Sequence, residues 1–182
     1  SRANYPQKTG TENYACQLIQ ALSLIDRENQ YILYSKTPLI GELAHLPQNF
    51  QSKVMPFPRL WSQLRLSLEM LTKPPQVLFE PSHTIPIIHP QKTIVTLHDL
   101  GFKHFPHLYT PFERRYHDWC MRFSVRHAWK IITISKYTKD DLIKTYGASS
   151  QKIEVVYHGY DPNFKPAKSK IASQPYIYFV GR

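Results

Sequence analysis

Acidic residues are scarce in this chain. Thirteen Asp and Glu stand against 23 Lys and Arg among 182 residues, a formal net charge of +10 at pH 7. Cysteine is scarcer, with only Cys16 and Cys120, far apart and inside expected helices. That excludes a disulfide-framed scaffold and reads as two buried thiols of a cytoplasmic protein. Long apolar runs are missing too. The longest, such as Tyr31 to Tyr34, fall far short of the roughly 18 to 20 residues that a membrane-spanning helix needs. Glycine is sparse, at six residues, and none stands in a GxxxxGK[ST] or GxGxxG pattern, so neither the P-loop nor the dinucleotide fingerprint is present.

What is there is enough apolar residue for a core, 42% of the chain with 13% aromatic, which sets the chain apart from disordered sequences. The basic surplus is concentrated. Residues 1–100 hold nine Lys/Arg and seven Asp/Glu, whereas residues 101–182 hold fourteen and six. A basic second half calls for an anionic neighbour, and charge alone leaves nucleic acid, phospholipid headgroups and phosphorylated substrates open.

The hydrophobic period alternates between about 3.6 and two, the pattern of helices exchanging with strands. The spacing predicts a helix over Thr11 to Ile25 with Tyr14, Ala15, Leu18, Ile19, Leu22 and Ile25 on one face, capped at Thr11. A strand over Gln30 to Ser35, a short helix over Leu39 to Leu46 and a strand over Lys53 to Phe57 follow. Trp61, Leu64, Leu68 and Leu71 recur at helical spacing. Gln76 to Phe79 and Thr93 to Leu97 read as strands. A long helix spans Phe112 to Trp129, with Phe112, Tyr116, Trp119, Cys120 and Phe123 inward. Lys130 to Ile134 is a β-branched strand; Ser135 caps the next helix and Gly147 stops it. Ile153 to Tyr157 is a further strand. The expected architecture is α/β, a Rossmann-like open parallel sheet with helices on both faces. A first strand is expected ahead of Ser1. Residues 1–161 form the first domain, 162–175 a polar, proline-bounded linker, and 176–182 the opening strand of a second.

Open parallel sheets bind ligands in the loops after their strands. Four places qualify. Gly10 opens the first helix, where free N–H groups and the dipole favour an anion, although a plain glycine turn explains the same residues. His98 and Asp99 follow Thr93 to Leu97 directly, an imidazole and a carboxylate suited to hydrogen bonding or proton transfer. His104 and His107 nearby invite a metal, as would suit a hydrolase, but match no usual zinc spacing, and no metal is expected. Gly159 and Asp161 close a turn after the last strand of the domain. Arg115, Arg122 and Arg126 share one stripe of the long helix. They are either a solvated flank or a surface for anionic headgroups or a phosphorylated acceptor. No nucleic-acid recognition module is visible, so nucleic acid is not expected as a partner.

The order of these stretches resembles that of the family 4 glycosyltransferases, retaining enzymes of the GT-B fold. Four segments carry the resemblance: 9–14 (TGTENY); 96–100 (TLHDL) leading to Phe105-Pro106; 131–142 (IITISKYTKDDL); and 152–161 (KIEVVYHGYD), followed by 178–182 (YFVGR). The resemblance implies an acceptor-side half of a two-domain enzyme, with the donor, a nucleoside-diphosphate sugar, held mainly by a second half. It implies a polysaccharide, glycolipid or similar acceptor, transfer with retention of configuration, no cofactor, and a cytoplasmic enzyme peripheral to the inner face of a membrane. By the same resemblance His98, of the catalytic candidates His98 and Asp99, falls at the transferred sugar, and Gly10, Thr11 and Arg182 at the donor diphosphate. Two departures stand out: one glycine in the first loop where two are common, and His158-Gly159 where Asn-Gly is usual. The alternative reading is a non-catalytic domain that binds an anionic glycan or headgroup.

Overall fold

Every strand pair in this domain is parallel, and the connections that make this possible are mostly helices. The computed structural model describes residues 9–160 together with Lys165, Pro175 and Ile177. The expected linker and the strand at 176–182 fall largely outside them. Helix α1 (Gly10–Ile25) leads to β1 (Tyr31–Ser35), and a 3-10 turn at Gly41–His45 leads to β2 (Phe50–Val54). A π turn at Ser62–Leu66 runs into α2 (Ser67–Thr72), then come β3 (Leu78–Glu80) and β4 (Thr93–Leu97). Short α3 (Gly101–His104) and long α4 (Pro111–His127) cross to β5 (Lys130–Thr133), and α5 (Lys136–Tyr146) crosses to β6 (Ile153–Val155). The strands form two parallel sheets, β1-β2 and β3-β4-β5-β6. The architecture is α/β and Rossmann-like.

Burial explains the strand sequences. In β4, Thr93, Val95, Thr96 and Leu97 are all buried, as a strand covered on both faces should be. Val95, Leu97, Ile131 and Ile153 make the floor of the main core, and Leu100, Met121, Val125 and Leu142 close it. Helix boundaries follow capping chemistry. Thr110 receives the Glu113 amide at 3.3 Å, and the Glu113 carboxylate accepts from the Thr110 amide and hydroxyl, each at 2.8 Å; Pro111 starts the helix. Ser135 accepts from the Thr138 amide at 3.1 Å, and Gly147 ends α5 at φ 65°.

Several expectations need correction. The first helix is capped at Thr9, not Thr11: Glu12 folds back to accept from the Thr9 amide and hydroxyl, each at 2.7 Å. Its apolar face is only half covered and Ile25 is exposed, because Leu18, Ile19 and Leu22 look into an open apolar cleft of about 1440 Å³ beside β1 and β3. Leu64, Leu68 and Leu71 are exposed as well. The π turn carries an extra residue per turn, which rotates the following helix so that Leu66, Ser67, Glu69 and Met70 face inward. In α4 the inward residues are Cys120, Met121, Ser124 and Val125. Phe112 and Trp119 lie outside, so this helix has two apolar stripes and the core takes the slimmer one. Strand β2 sits three residues earlier than its alternation suggested. Both cysteines are buried free thiols.

Candidate functional site

Parallel strands put all their following loops at one end of a sheet, and the histidines gather there. His98 leaves the end of β4 and is 5% exposed. Its Nε2 lies 3.0 Å from the Pro81 carbonyl in the loop after β3. A carbonyl can only accept, so Nε2 carries the hydrogen and the neutral ring keeps its lone pair on Nδ1. The His98 carbonyl accepts from the Thr138 hydroxyl at 3.0 Å, which ties the β4 loop to the first turn of α5. Tyr14, one turn into α1, packs edge-on to the His98 ring at 4.9 Å and stacks on His158 at 4.9 Å. Its hydroxyl lies 3.3 Å from the Thr96 hydroxyl. His83 completes the surround, 5.2 Å from His98. Its residue has a positive φ of 27°, held by its amide bonding to the Thr96 carbonyl and its carbonyl accepting from Ser124.

Electrostatics follow from this packing. Burial pushes the His98 imidazole below its ordinary 6.5; the Pro81 carbonyl pulls the other way, His158 adds to the lowering and Asp99 opposes it. Burial thus favours the neutral form of His98. Asp99 turns away to cap α3: its Oδ1 accepts from the Gly101 amide at 2.7 Å, and a Cβ on Gly101 would come within 3.0 Å of that oxygen. Its carboxylate thus acts on His98 through space.

The start of α1 opens on the same crevice. Nothing lies within 4 Å of where a Cβ on Gly10 would be, so the backbone there is approachable from solvent. A helix of 16 residues presents its dipole at that point. Gly10 and Thr11 therefore stand at the same end of the molecule as His98 and Asp99, linked through Tyr14. The arginines do not join them. Arg122 donates to Asp118 at 2.8 Å and lies over the Tyr146 ring, while the Arg126 carbonyl accepts from Lys152. Both line a small hollow of about 480 Å³ where α4 and α5 end, at the opposite end of the strands. Arg115 is exposed, and Arg182 lies outside the described residues.

Asp118 is a structural hub. Burial would push its carboxyl up, but hydrogen bonds from Lys103, Arg122 and Tyr146 outweigh that and hold it at about 2. His104 pairs with Asp141 on α5, and among the described residues no three His, Cys, Asp or Glu side chains group as metal ligands. Sequence reasoning missed Tyr14, His83 and His158 as neighbours of His98. His158 could have been found from its place just after a strand. Tyr14 could not, because helical periodicity assigns it to the core face.

The comparisons with known proteins bear on this arrangement. The model of Glycosyltransferase Family 4 matches residues 9–164. The O-antigen chain mannosyltransferase RfbU of Salmonella typhimurium is 29% identical over 98 residues, covering 54% of this chain and 26% of that protein. The match thus spans about a quarter of that relative.

Proposed function

The chain belongs to glycosyltransferase family 4, and on that premise we propose that it forms the acceptor-side wall of an enzyme that moves a sugar from a nucleoside-diphosphate sugar to a polysaccharide or glycolipid, with retention of configuration. The observation that carries the reading is the convergence on Tyr14: the open start of α1, His98 and His158 meet at the ends of parallel strands. Charge develops on the leaving diphosphate as the sugar departs. The start of α1 at Gly10 and Thr11 faces that charge with its positive dipole end, and Arg182 adds a cation. Neutral His98, with Nε2–H committed to Pro81, offers Nδ1 as acceptor to a sugar hydroxyl and so orients the transferred ring. Asp99 positions the His98 loop through its cap on α3. Front-face transfer with retention needs no protein nucleophile.

The name of the Salmonella relative makes mannose the first sugar to try. The test is a panel of nucleoside-diphosphate sugars incubated with the intact protein that carries this chain and with a lipid-linked oligosaccharide acceptor. Nucleoside-diphosphate release coupled to an α-linked product from an α-linked donor is expected. An inverted product would overturn the retaining assignment. Specific glycan binding with no turnover of any donor would replace transfer by a binding role.

A further inference from the structure

Among the described residues two that are not glycine have a positive φ, Leu60 at 53° and His83 at 27°. Leu60 borders the open cleft beside β1, whereas His83 stands in the crevice, its ring 5.2 Å from that of His98. Strained backbone persists only where its surroundings hold it, so the contacts of His83 tell what the strain maintains. The loop that carries it begins where β3 stops. Glu80 is the last residue paired to β4, and Pro81 has no amide with which to continue the ladder. The Pro81 carbonyl instead meets His98 Nε2 at 3.0 Å. Beyond it the Thr84 amide donates to the Ser82 carbonyl, closing a tight turn with His83 at its centre. With a positive φ at the centre, such a turn is rare and strained.

We propose that His83 is a positioning residue for His98: its left-handed backbone keeps the Pro81 carbonyl on Nε2, so that Nδ1 is the nitrogen offered to the crevice. The turn is pinned on both sides. The His83 amide donates to the Thr96 carbonyl at 3.1 Å, and the His83 carbonyl accepts from the Ser124 hydroxyl at 3.1 Å. Thr96 lies on β4, the strand from which His98 follows, so the clip and the imidazole it serves are referenced to one rigid element. Ser124 is fully buried within α4, where a serine ordinarily turns its hydroxyl to the carbonyl one turn back. Here that hydroxyl reaches across to the loop. Ile85, also fully buried, anchors the far side of the turn in the main core. An imidazole free of the Pro81 carbonyl would share its hydrogen between both nitrogens and could turn over, showing the crevice a donor or an acceptor in turn. The clip removes that choice. Asn, Asp and His enter the left-handed region more readily than other side chains, and β-branched residues least readily.

This deepens the proposed function by adding a residue that acts through His98, and it rests on that reading only for its effect on turnover. The first measurement needs no sugar: ring-nitrogen NMR spectra of the histidines in the intact protein that carries this chain. His98 should show a single tautomer with its hydrogen on Nε2. His83→Asn, which tolerates the backbone, should keep it. His83→Val should give mixed or exchange-broadened tautomers, and Ser124→Ala, which removes one pin and leaves the loop unaltered, a milder form of the same. Asn and Val both lack the ring, so a difference between them belongs to the backbone. In sugar transfer His83→Val should lower kcat about tenfold or more while the donor KM moves less than about threefold, and His83→Asn should retain most of the rate. One sharp Nε2–H tautomer in both His83→Val and Ser124→Ala would overturn the proposal. So would an Asn variant as impaired as the Val variant, or mixed tautomers with kcat unchanged. A wild type that turns over no donor would sink the transferase reading alone, because the tautomer spectra judge the clip without it.

Discussion

The two sheets are held by different forces. In β3–β6 the strands are sealed: Val95, Leu97 and Ile131 are 0% exposed, and the core beneath them is continuous with α4 and α5. In β1–β2, Ile32 and Val54 stand in solvent, and the apolar cleft lies alongside. Order there comes from a polar knot. Asp26 accepts from the Glu28 and Asn29 amides, the Asn29 side chain and the Tyr31 hydroxyl, while the Asn49 side-chain amide donates to the Asp26 and Asn29 carbonyls. Hydrophobic burial is non-directional and collective, whereas a surface hydrogen-bond cluster is local. His98 and Asp99 follow a strand of the sealed sheet, whereas Gly10, Thr11 and Tyr14 stand on α1, which leads into the other.

The largest effect should come from opening that sealed sheet. Leu97→Ala removes a fully buried side chain and should cost about 2 to 5 kcal/mol in denaturant unfolding. Ile32→Ala, on the other sheet, should stay within about 0.5 kcal/mol. Equal losses at the two positions would erase the distinction. Next in size is His98→Ala in the intact enzyme, expected to lower kcat/KM at least about tenfold, or about 1.4 kcal/mol. His98 also links pH to stability. Its folded pKa is below 6.5, so its contribution is full above 6.5 and is lost as pH falls below that value, since the unfolded chain then binds the proton first. His98→Ala should flatten that part of the stability profile, and an undiminished slope would assign it to another histidine.

How much of this was readable beforehand depended on whether one signal or two competed at a position. Thr93 to Leu97 and the Ser135 and Gly147 boundaries of α5 were legible, because a buried β-branched run and paired caps have no rival reading. The inner faces of α2 and α4 were not. Trp119 and Cys120 are neighbours in sequence, both apolar, and only tertiary packing decides which turns inward. The π turn is invisible to any fixed helical period. At the site, His98 was legible from its place after a central strand, while Tyr14 sits 84 positions away in sequence and joins it only through the fold. The forward turn of Asp99 was not legible there; the Gly101 amide, bonding to its Oδ1, reveals it.

Ser135→Ala comes next, removing the oxygen that caps α5, with an expected cost of about 1 kcal/mol. Because Thr138 in that same turn donates to the His98 carbonyl, the variant should also broaden the His98 imidazole resonances. Sharp, unshifted resonances would show that the sealed sheet holds the loop without help from α5.

The smallest effect should be Asp26→Asn, and it bears on the other sheet alone. The Tyr31 hydroxyl and the Asn29 side chain hold the Asp26 carboxyl well below its ordinary 3.8. The charged form is therefore the one that the fold favours. Its contribution is complete above about pH 3.8 and is lost as pH falls below it. Burial, with help from the same carboxylate, raises the Tyr31 phenol to about 12, so the donor stays protonated throughout this range. At pH 5, Asp26→Asn should speed hydrogen exchange at the β1 amides paired to β2 and leave Val95 and Ile131 unchanged. As pH falls from about 3.8 down through the lowered folded value, wild type should approach the variant progressively at those same β1 amides. Faster exchange across both sheets at once would mean that they open as a unit, and that the polar knot supports the whole domain rather than its looser edge.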